Sequence, residues 1–459
     1  MTYALLLDFG TTSTKSTLVD LETGAFTQPE THSALNNLAE HPGRSEFDLQ
    51  SVYERFDAIC ARYYARQPFV GISLCSEMHG FAVLDADDRP LTQYISWKDE
   101  RSLEVIQGHR AFDDLLDGFG DAFKDLTGMK PRPGFAPMNL LHVAREISLP
   151  SSARIVDLPG WLCRASGHPT GYAHPTMLAG LALYDVQRAE VAHSLIERIA
   201  QLCGVRIELD APAPAGQIAG YWDSGTQRVP IYVGIGDHQC SLLGAGLVAD
   251  DSLSINLGTG AQVSTLDPSS PPVEAEVRPY FAERSLRTIT HIPGGRALAE
   301  YIGFLGEVDR TETNFWELLA DCRIEQVRNS TLQVNLGLFP SARGYAGGGS
   351  IGGIGEGDLT LSNYLCSLLR AFIEQYIDIL RLFDPNGEKR CTLLSGGIAR
   401  RLPVVRTYIA ENTSYQTEGA TPLDESLLGL RALALAAHEQ TDPLHAQASF
   451  GRFCTVLEE

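Results

Sequence analysis

Two short segments combine glycine with small hydroxyl residues directly after an apolar strand pattern. The first reads LDFGTTSTK at residues 7–15, and the second reads NLGTGAQ at residues 256–262. Glycine allows the backbone to turn sharply and approach a ligand, and consecutive N–H groups in such a turn bind anions. Two such turns at equivalent places predict a duplicated fold that holds one polyphosphate from both halves.

The two segments differ where Asp8 aligns with Asn256, because only the first offers a carboxylate to a metal ion. Mg²⁺ in proteins keeps several water ligands and uses few carboxylates, so Asp8 is the predicted metal-associated acid. In the same loop Gly10, Thr11 and Thr12 are predicted to contact phosphate oxygens. An ordinary hairpin turn is the alternative interpretation of this loop.

Lys15 follows the loop on the second strand of the predicted hairpin. It is a candidate for phosphate binding, and a solvated strand charge explains it equally well. In the second segment Gly258 and Thr259 are the corresponding phosphate-binding candidates. Both segments therefore contribute predicted nucleotide contacts.

Asp237 is the predicted catalytic base. It ends an apolar strand pattern, IYVGIG at residues 231–236, and stands at the start of a helix pattern. A hydroxyl group that accepts phosphate needs one well-placed base, and a carboxylate beside two phosphate loops fits that role. A helix N-cap, worth about 1 kcal/mol, is the alternative. Neighbouring His238 and Gln239 could orient a substrate, although helix-start polarity explains them equally well.

Two further segments could contact a polyol substrate. Met78 and His79 lie in a predicted turn between strands, where histidine suits hydroxyl groups and methionine suits an apolar edge. The run WKDER at residues 97–101 places Trp97 and Arg101 in a pattern that suits a sugar pocket. A structural histidine and a surface helix start are the respective alternatives.

The run SGGIAR at residues 395–400 follows a strand pattern and opens a helix. Gly396 and Gly397 would let a flat ring lie on the backbone, which makes adenine the expected ligand and Arg400 a further contact. A plain strand-to-helix turn is the alternative. The string GGGSIG at residues 347–352 matches both a dinucleotide motif and a serine-hydrolase elbow at Ser350, but no strand pattern precedes it. No P-loop motif occurs.

Composition and charge restrict the class of protein. The chain has 459 residues with a net charge of −21, which argues against nucleic acid and anionic membranes as partners. Its length predicts two domains, which we place at residues 1–245 and 246–459. Nine scattered cysteines, no signal-peptide pattern and no long apolar run predict a soluble, cytoplasmic protein.

Periodicity predicts mixed α/β structure in both halves. The apolar spacing predicts helices over 49–64, 138–147, 239–247, 361–382 and 424–438. Strands are predicted over 69–74, 81–84, 229–236 and 391–394. Residues 341–357 contain eight glycines and are predicted to form a loop.

Taken together, the ordered motifs DFGTT, MHG, WKDER, GD, LGTG and SGG resemble those of the FGGY carbohydrate kinases of the actin/hexokinase-like superfamily. The resemblance implies two ribonuclease-H-like domains, a central cleft for ATP and sugar, Mg²⁺, and an aspartate base. Carried over, Asp237 is that base, Asp8 is the metal-associated acid, and the glycine loops hold phosphates and adenosine. It allows a homodimer without requiring one.

Within the family the chain most resembles sedoheptulokinases and next xylulokinases, which share Met78-His79-Gly80. The runs RPYF at residues 278–281 and HIPGGRALA at 291–299 are similar to stretches of sedoheptulokinases. Two departures are Glu100, where glycine is usual, and Ala342-Arg343-Gly344, where many members have Gly-Glu-Arg. Sequence alone leaves two other classes open, namely a non-catalytic actin-like binder of sugar or nucleotide and, more distantly, a serine hydrolase.

Overall fold

A computed structural model describes residues 1–267, 272–308 and 313–457. The backbone forms two compact units. The first comprises Met1–Gly244, Val277–Ser285 and Ser426–Glu459, and the second comprises Ala245–Glu276 and Leu286–Glu425. The division of the sequence after residue 245 thus differs from the structure, which groups two later segments with the first unit. Among the described residues, no helix combines the length and hydropathy that a bilayer-spanning segment requires.

The first 244 residues contain eighteen strands, eight α-helices and one short 3-10 helix at Arg101–Leu103. The strands are β1 (Tyr3–Phe9), β2 (Ser13–Asp20), β3 (Glu30–Ser33), β4 (Glu46–Phe47), β5 (Ile72–Ser76), β6 (Ala82–Leu84), β7 (Tyr94–Ile95), β8 (Val105–Ile106), β9 (His109–Arg110), β10 (Ser152–Val156), β11 (Tyr172–Ala173), β12 (Tyr184–Asp185), β13 (Glu190–Val191), β14 (Arg206–Glu208), β15 (Ala211–Pro212), β16 (Ile218–Asp223), β17 (Arg228–Tyr232) and β18 (Ile235–Gly236). The helices are α1 (Leu49–Arg66), α2 (Ala111–Leu116), α3 (Ala122–Thr127), α4 (Ala136–Glu146), α5 (Leu158–Ala165), α6 (Pro175–Gly180), α7 (His193–Cys203) and α8 (Asp237–Gly244).

The described residues that follow add eight strands and eight helices. The strands are β19 (Ser252–Leu257), β20 (Ala261–Leu266), β21 (Glu276–Pro279), β22 (Ser285–Ile292), β23 (Gln333–Asn335), β24 (Ser350–Gly352), β25 (Cys391–Ser395) and β26 (Gln416–Glu418). The helices are α9 (Gly295–Val308), α10 (Phe315–Ala320), α11 (Ile324–Asn329), α12 (Leu361–Phe383), α13 (Gly397–Arg401), α14 (Pro403–Asn412), α15 (Glu425–Glu439) and α16 (Pro443–Phe450).

The main sheets of the two units repeat one strand order. In the first unit the sheet runs β3-β2-β1-β5-β17, with β18 also pairing with β5. In the second unit the corresponding run is β22-β20-β19-β25-β26. In each, an antiparallel hairpin is followed on the other side of its first strand by parallel partners. The duplication expected from the two glycine loops is therefore present in the strand order itself.

The register makes the two hairpins equivalent residue by residue. Asp8 lies opposite Lys15 in the first hairpin, and Asn256 lies opposite Gln262 in the second. Because side chains alternate across a strand, each pair projects from the same face of its hairpin. An acid and a base in the first unit thus correspond to two amides in the second.

Each unit has its own apolar core. In the first, Leu5 and Leu7 of β1 pack with Phe56 of α1 and are buried. In the second, the 23-residue helix α12 supplies Leu369 and Phe372 to the core beneath β19 and β20. Full burial of such a side chain contributes about 1.5–3 kcal/mol, so these faces hold the strands that carry the loops.

Three elements differ from the sequence-based expectation. The strand predicted over 229–236 is two strands, β17 and β18, separated at Gly234, where a Cβ atom would lie 2.3 Å from Pro159 Cγ. The glycine-rich segment predicted as a loop includes β24, which pairs with β23. The chain continues past α15 into the helix α16, which was not predicted.

Candidate active site

The carboxyl ends of β1, β5 and β18 lie side by side in the sheet of the first unit. Asp8 lies opposite Cys75 of β5, and Ile235 of β18 lies opposite the same cysteine. Asp237 follows β18 directly and begins α8. Parallel strands bring their carboxyl ends to one edge of a sheet, so residues far apart in sequence meet there.

Asp8 is almost fully buried and is contacted by side chains from three elements. Its Oδ2 accepts a hydrogen bond from Ser426 Oγ at 2.6 Å and lies 3.3 Å from Lys15 Nζ. Its Oδ1 lies 3.5 Å from Cys75 Sγ. Lys15 therefore forms an ion pair with Asp8, which adds a structural role to the phosphate contact predicted for this lysine.

The surroundings of Asp8 suit a metal ion that is bound mainly by other ligands. Within the described ranges, no group of three or more His, Cys, Asp or Glu side chains is arranged to hold a metal ion. Mg²⁺ is commonly bound by one or two carboxylates together with water and substrate phosphates. One buried carboxylate beside a glycine loop fits that mode, so Asp8 is retained as the proposed metal-associated acid.

Asp237 carries an unusually basic carboxyl group. The residue keeps some accessible surface, but its carboxyl group is enclosed, and this burial is the main reason that its pKa is raised to about 7. The negative charges of Asp8 and Glu77 raise it further. Its Oδ1 accepts a hydrogen bond from the His238 backbone N–H at 2.7 Å, and that bond and Arg278 act in the opposite direction. A carboxyl group that titrates near neutral pH is suited to accept a proton from a sugar hydroxyl.

The two residues after Asp237 contact the segment that contains β21. His238 Nδ1 lies 3.3 Å from Arg278 Nη1, and burial lowers the pKa of His238 well below its usual value. The ring is therefore neutral, with Nδ1 accepting from the guanidinium. Gln239 Nε2 donates to Pro279 O at 3.3 Å. These contacts place Arg278 beside the proposed base, a role that the sequence did not indicate.

Met78 and His79 lie on the turn after β5 and pack against glycines. A Cβ atom at Gly236 would lie 2.7 Å from Met78 Sδ, and one at Gly180 would lie 3.2 Å from Met78 Cε. His79 has a positive φ of 75° and its Nδ1 lies 2.6 Å from Gly180 O. Both residues thus lie next to β18, the strand directly before Asp237, while His79 keeps partial exposure.

The run at residues 97–101 divides into an exposed and a buried part. Trp97 is 43% exposed, and its Nε1 donates to Thr11 Oγ1 at 3.1 Å. Arg101 is buried and bonds both oxygens of Asp99, with a further ion pair to Glu46. Arg101 therefore serves the protein's own ion pairs and stabilises the turn that carries Trp97. We do not retain it among the proposed substrate contacts.

The glycine loop of the second unit is anchored by the start of α9. Gly295 N donates to Gly258 O at 2.9 Å, and Arg296 N donates to Thr259 O at 3.0 Å. A Cβ atom at Gly258 would lie 3.2 Å from Gly260 O. The carbonyl groups at Gly258 and Thr259 thus accept hydrogen bonds from N–H groups at the start of α9, which hold the loop in a compact conformation.

The adenosine loop predicted at Gly396 and Gly397 requires glycine at its first position. Gly396 has a φ of 91°, and a Cβ atom there would lie 2.5 Å from Leu257 O. Arg400 Nη1 bonds Glu425 Oε1 at 2.9 Å, and Gly396 N donates to the same oxygen at 3.3 Å. Arg400 therefore fixes the loop through Glu425 in addition to the ligand contact predicted for it.

Sequence reasoning missed three polar residues of the first unit, namely Glu77, Arg278 and Ser426. Glu77 stands beside the Met-His-Gly motif, where its charge after an apolar strand was an available signal. Arg278 and Ser426 come from segments 40 and 418 residues away from the side chains they contact. No local pattern reports such long-range pairs.

Comparison with known proteins relates part of the chain to a kinase family. Residues 3–146 match the model of the FGGY family of carbohydrate kinases, N-terminal domain. A xylulose kinase of Staphylococcus xylosus is 23% identical over 356 residues, which cover 71% of this chain and 68% of that relative. Other curated relatives align over only about half of their own length, 53% and 54% in two cases.

Solved structures share the fold of the whole chain. A protein from Brucella ovis described as a "xyloylose kinase" superposes with a TM-score of 0.80 at 21% identity, covering 99% of this chain and 93% of that one. Glycerol kinase from Plasmodium falciparum with ADP gives a TM-score of 0.78 at 16% identity, covering 99% and 93%. At these identities the superposition shows the fold, which confirms the expected actin/hexokinase-like class.

Proposed function

Because residues 3–146 match the family model of the FGGY carbohydrate kinases, we propose that this chain is a kinase of that kind and transfers the terminal phosphoryl group of ATP to a hydroxyl group of a ketose sugar. The observation that carries the proposal is Asp237, a carboxyl group with a pKa of about 7 at the edge of the sheet that also presents Asp8 and the first glycine loop. Phosphoryl transfer asks a protein mainly to position its reactants and to stabilise charge, and this edge offers both.

In the first unit, Asp237 accepts the proton of the sugar hydroxyl, and Thr11 and Thr12 bind phosphate oxygens. Met78, His79 and Trp97 orient the sugar from the turns next to Asp237 and Thr11. Asp8 would hold Mg²⁺ directly or through water; when bound, the ion neutralises charge on the phosphates. Lys15 stabilises the carboxylate of Asp8 and approaches the same phosphate oxygens.

In the second unit, the loop at Gly258 and Thr259 binds phosphate through its backbone N–H groups. Gly396 and Gly397 receive the adenosine, since the glycine at 396 allows the backbone to pass within van der Waals distance of β19. Arg400 and Glu425 hold that loop in place.

D-xylulose is the first candidate sugar, because relatives of this chain are named xylulose kinases. Sedoheptulose is the second, on the observation that the run at residues 278–281 resembles sedoheptulokinases and that Arg278 lies beside the proposed base. The two sugars differ in chain length and not in the reacting chemistry, so the same residues serve either.

The test is ADP release with Mg²⁺ and ATP against D-xylulose, sedoheptulose, D-ribulose, L-ribulose, L-rhamnulose, L-fuculose and glycerol. We expect one ketose to give a kcat/KM at least about tenfold above the others, which corresponds to about 1.4 kcal/mol of discrimination. Asp237→Asn is the matched control and should be silent with that sugar. Activity with glycerol alone would contradict the ketose assignment, and silence with every sugar would contradict the proposed function.

A further inference from the structure

Two buried polar side chains at the start of α8 have no role so far in the proposed reaction. His238 is 7% exposed, and Gln239 is fully buried. Among the described residues, His238 Nε2 and Gln239 Oε1 have no hydrogen-bond partner. Buried polar atoms in native proteins are nearly always paired, so both atoms indicate a ligand or an ordered water beside the proposed base Asp237.

Arg278 determines which nitrogen of the His238 ring carries the proton. Its Nη1 lies 3.3 Å from His238 Nδ1, and Arg278 is itself only 4% exposed. A guanidinium group only donates hydrogen bonds, so Nδ1 must present its lone pair. An imidazole ring with a lone pair on Nδ1 is neutral and carries its proton on Nε2. The Nε2 atom of His238 is therefore a hydrogen-bond donor.

Gln239 is oriented by the next residue of the same segment. Its Nε2 donates to Pro279 O at 3.3 Å, so the amide oxygen Oε1 faces away from that carbonyl group. A Cβ atom at Gly236 would lie 3.0 Å from Gln239 Oε1 and 2.7 Å from Met78 Sδ. Residues 278 and 279 therefore orient a donor on His238 and an acceptor on Gln239, and this acceptor lies close to a predicted sugar contact.

Histidine suits position 238 better than a carboxylate does. A carboxylate would bond a buried guanidinium more strongly, but it would present only acceptors. The negative charges of Asp8 and Glu77 already raise the pKa of Asp237, and another carboxylate beside the base would raise it further. Histidine accepts from Arg278 on one nitrogen and presents a donor on the other. The pair thus places a donor without negative charge next to the proposed base.

We propose that Arg278 is a positioning residue that holds His238 in the Nε2–H form, and that this N–H donates to an acceptor oxygen, hydroxyl or carbonyl, of the bound ketose. The two residues belong to the same unit of the structure. The identity of the ligand rests on the proposed function, whereas the protonation of the ring does not.

The first experiment reads the two ring nitrogens directly. Nitrogen-15 NMR of the full chain with labelled histidine separates protonated from unprotonated nitrogens, and His238→Gln identifies the His238 signals among those of the 12 histidines. We expect Nδ1 without a proton and Nε2 with one. In Arg278→Met the Nδ1 signal should move, because that nitrogen loses its donor. The matched control is Arg284→Met, which removes an arginine side chain from the turn after β21 and should leave both signals in place.

The second experiment adds each sugar of the activity panel. D-xylulose or sedoheptulose should move the Nε2 signal of the wild type and leave the Nδ1 signal nearly unchanged. By calorimetry, Arg278→Met should weaken binding of that sugar about threefold to tenfold, the size of one hydrogen bond, while Mg²⁺-ATP binding changes less than about twofold. Arg278→Lys keeps a cationic donor and should recover part of the loss.

A double-mutant cycle tests whether Arg278 acts through His238. His238→Phe keeps a planar ring without nitrogen atoms, and in that background Arg278→Met should weaken sugar binding by less than about a further twofold. Additive losses would overturn the proposal, as would a proton on Nδ1 of the wild type. Equal losses of sugar and Mg²⁺-ATP affinity in Arg278→Met would also overturn it, because a merely structural role would produce them.

If Arg278→Met does not fold, the wild-type spectra with and without sugar decide, since they need no variant at Arg278. An Nε2 signal that no sugar of the panel moves would overturn the ligand contact. Silence of the wild type in the activity panel would remove the proposed kinase function, whereas the protonation of Nδ1 would still decide on Arg278. Turnover together with a protonated Nδ1 would keep the kinase function and remove this inference.

Discussion

The hairpins β1-β2 and β19-β20 share a strand order and a glycine loop, but their side chains differ in a consistent direction. The first presents Asp8 opposite Lys15, and the second presents Asn256 opposite Gln262. Two residues after the strand positions opposite Asp8 and Asn256, the first unit has Glu77 and the second has Gly397. At these positions the first unit has ionisable side chains, and the second has amides and a glycine.

This difference indicates that the two units have different roles. Acids raise one another's pKa when they lie together in a low-dielectric site, and the first unit uses that effect on Asp237. A bare backbone instead leaves space and N–H groups for a flat or anionic ligand. We therefore propose that the first unit carries the proton and metal chemistry and that the glycine loops of the second unit bind the nucleotide. The following substitutions exchange or remove these differences.

Removing the proposed base should have the largest effect. Asp237→Asn keeps the size of the side chain but cannot accept a proton at neutral pH, so we expect kcat to fall about 10²–10⁴-fold. The dissociation constant of ATP should change little. Steady-state kinetics and calorimetry together test this pair of results. A kcat within a fewfold of the wild type would exclude Asp237 as the base.

Converting the first hairpin to the pattern of the second should impair metal use. Asp8→Asn removes the carboxylate but keeps the hydrogen-bonding shape, so we expect the Mg²⁺ concentration for half-maximal activity to rise about tenfold or more. The reciprocal variant Asn256→Asp is the matched control and should leave that concentration unchanged. An unaltered metal titration in Asp8→Asn would argue against the assigned role.

The sequence predicted the strands, helices and loops of this site better than the long-range contacts between their side chains. The two hairpins, helices α1 and α12, and the strand end at Asp237 follow from local apolar spacing and glycine positions. Arg101 was assigned to substrate because its partner Glu46 is distant in sequence and no local pattern reports that ion pair. Ser426, which bonds Asp8, was not found for the same reason. Pairing across long sequence separation is a property of the fold and not of a segment.

The backbone of the loop at Gly396 should tolerate substitution less well than that of the loop at Gly10. Gly396→Ala places a methyl group 2.5 Å from Leu257 O at a φ of 91°, which we expect to cost about 2–4 kcal/mol and to weaken ATP binding. Gly10→Ala is the comparison, because its Cβ atom would lie 3.2 Å from Ser13 O without a positive φ. Chemical denaturation should rank Gly396→Ala as the less stable variant. Equal losses would contradict the difference between the loops.

The acid cluster of the first unit predicts a pH dependence. The pKa of Asp237 is about 7, mainly through burial and then through the charge of Asp8. The base must be ionised to accept a proton, so kcat/KM should rise with pH, about tenfold per unit, and level off above about pH 7. Saturating Mg²⁺ should be used at every pH. A profile that is flat between pH 5.5 and 7.5 would show that Asp237 titrates elsewhere or is not required.

The smallest expected effect concerns the charge opposite Asp8. Lys15→Gln reproduces the amide found at position 262 of the second hairpin and removes an ion pair whose lysine side chain is 28% exposed. An ion pair with a partly exposed lysine contributes less than about 1 kcal/mol, so the unfolding midpoint should shift only slightly. If Lys15 also approaches a phosphate, the KM for ATP should rise about threefold to tenfold while kcat falls less. A KM for ATP equal to that of the wild type would limit Lys15 to stabilising Asp8. The functional difference between the two hairpins would then depend on Asp8 and not on Lys15.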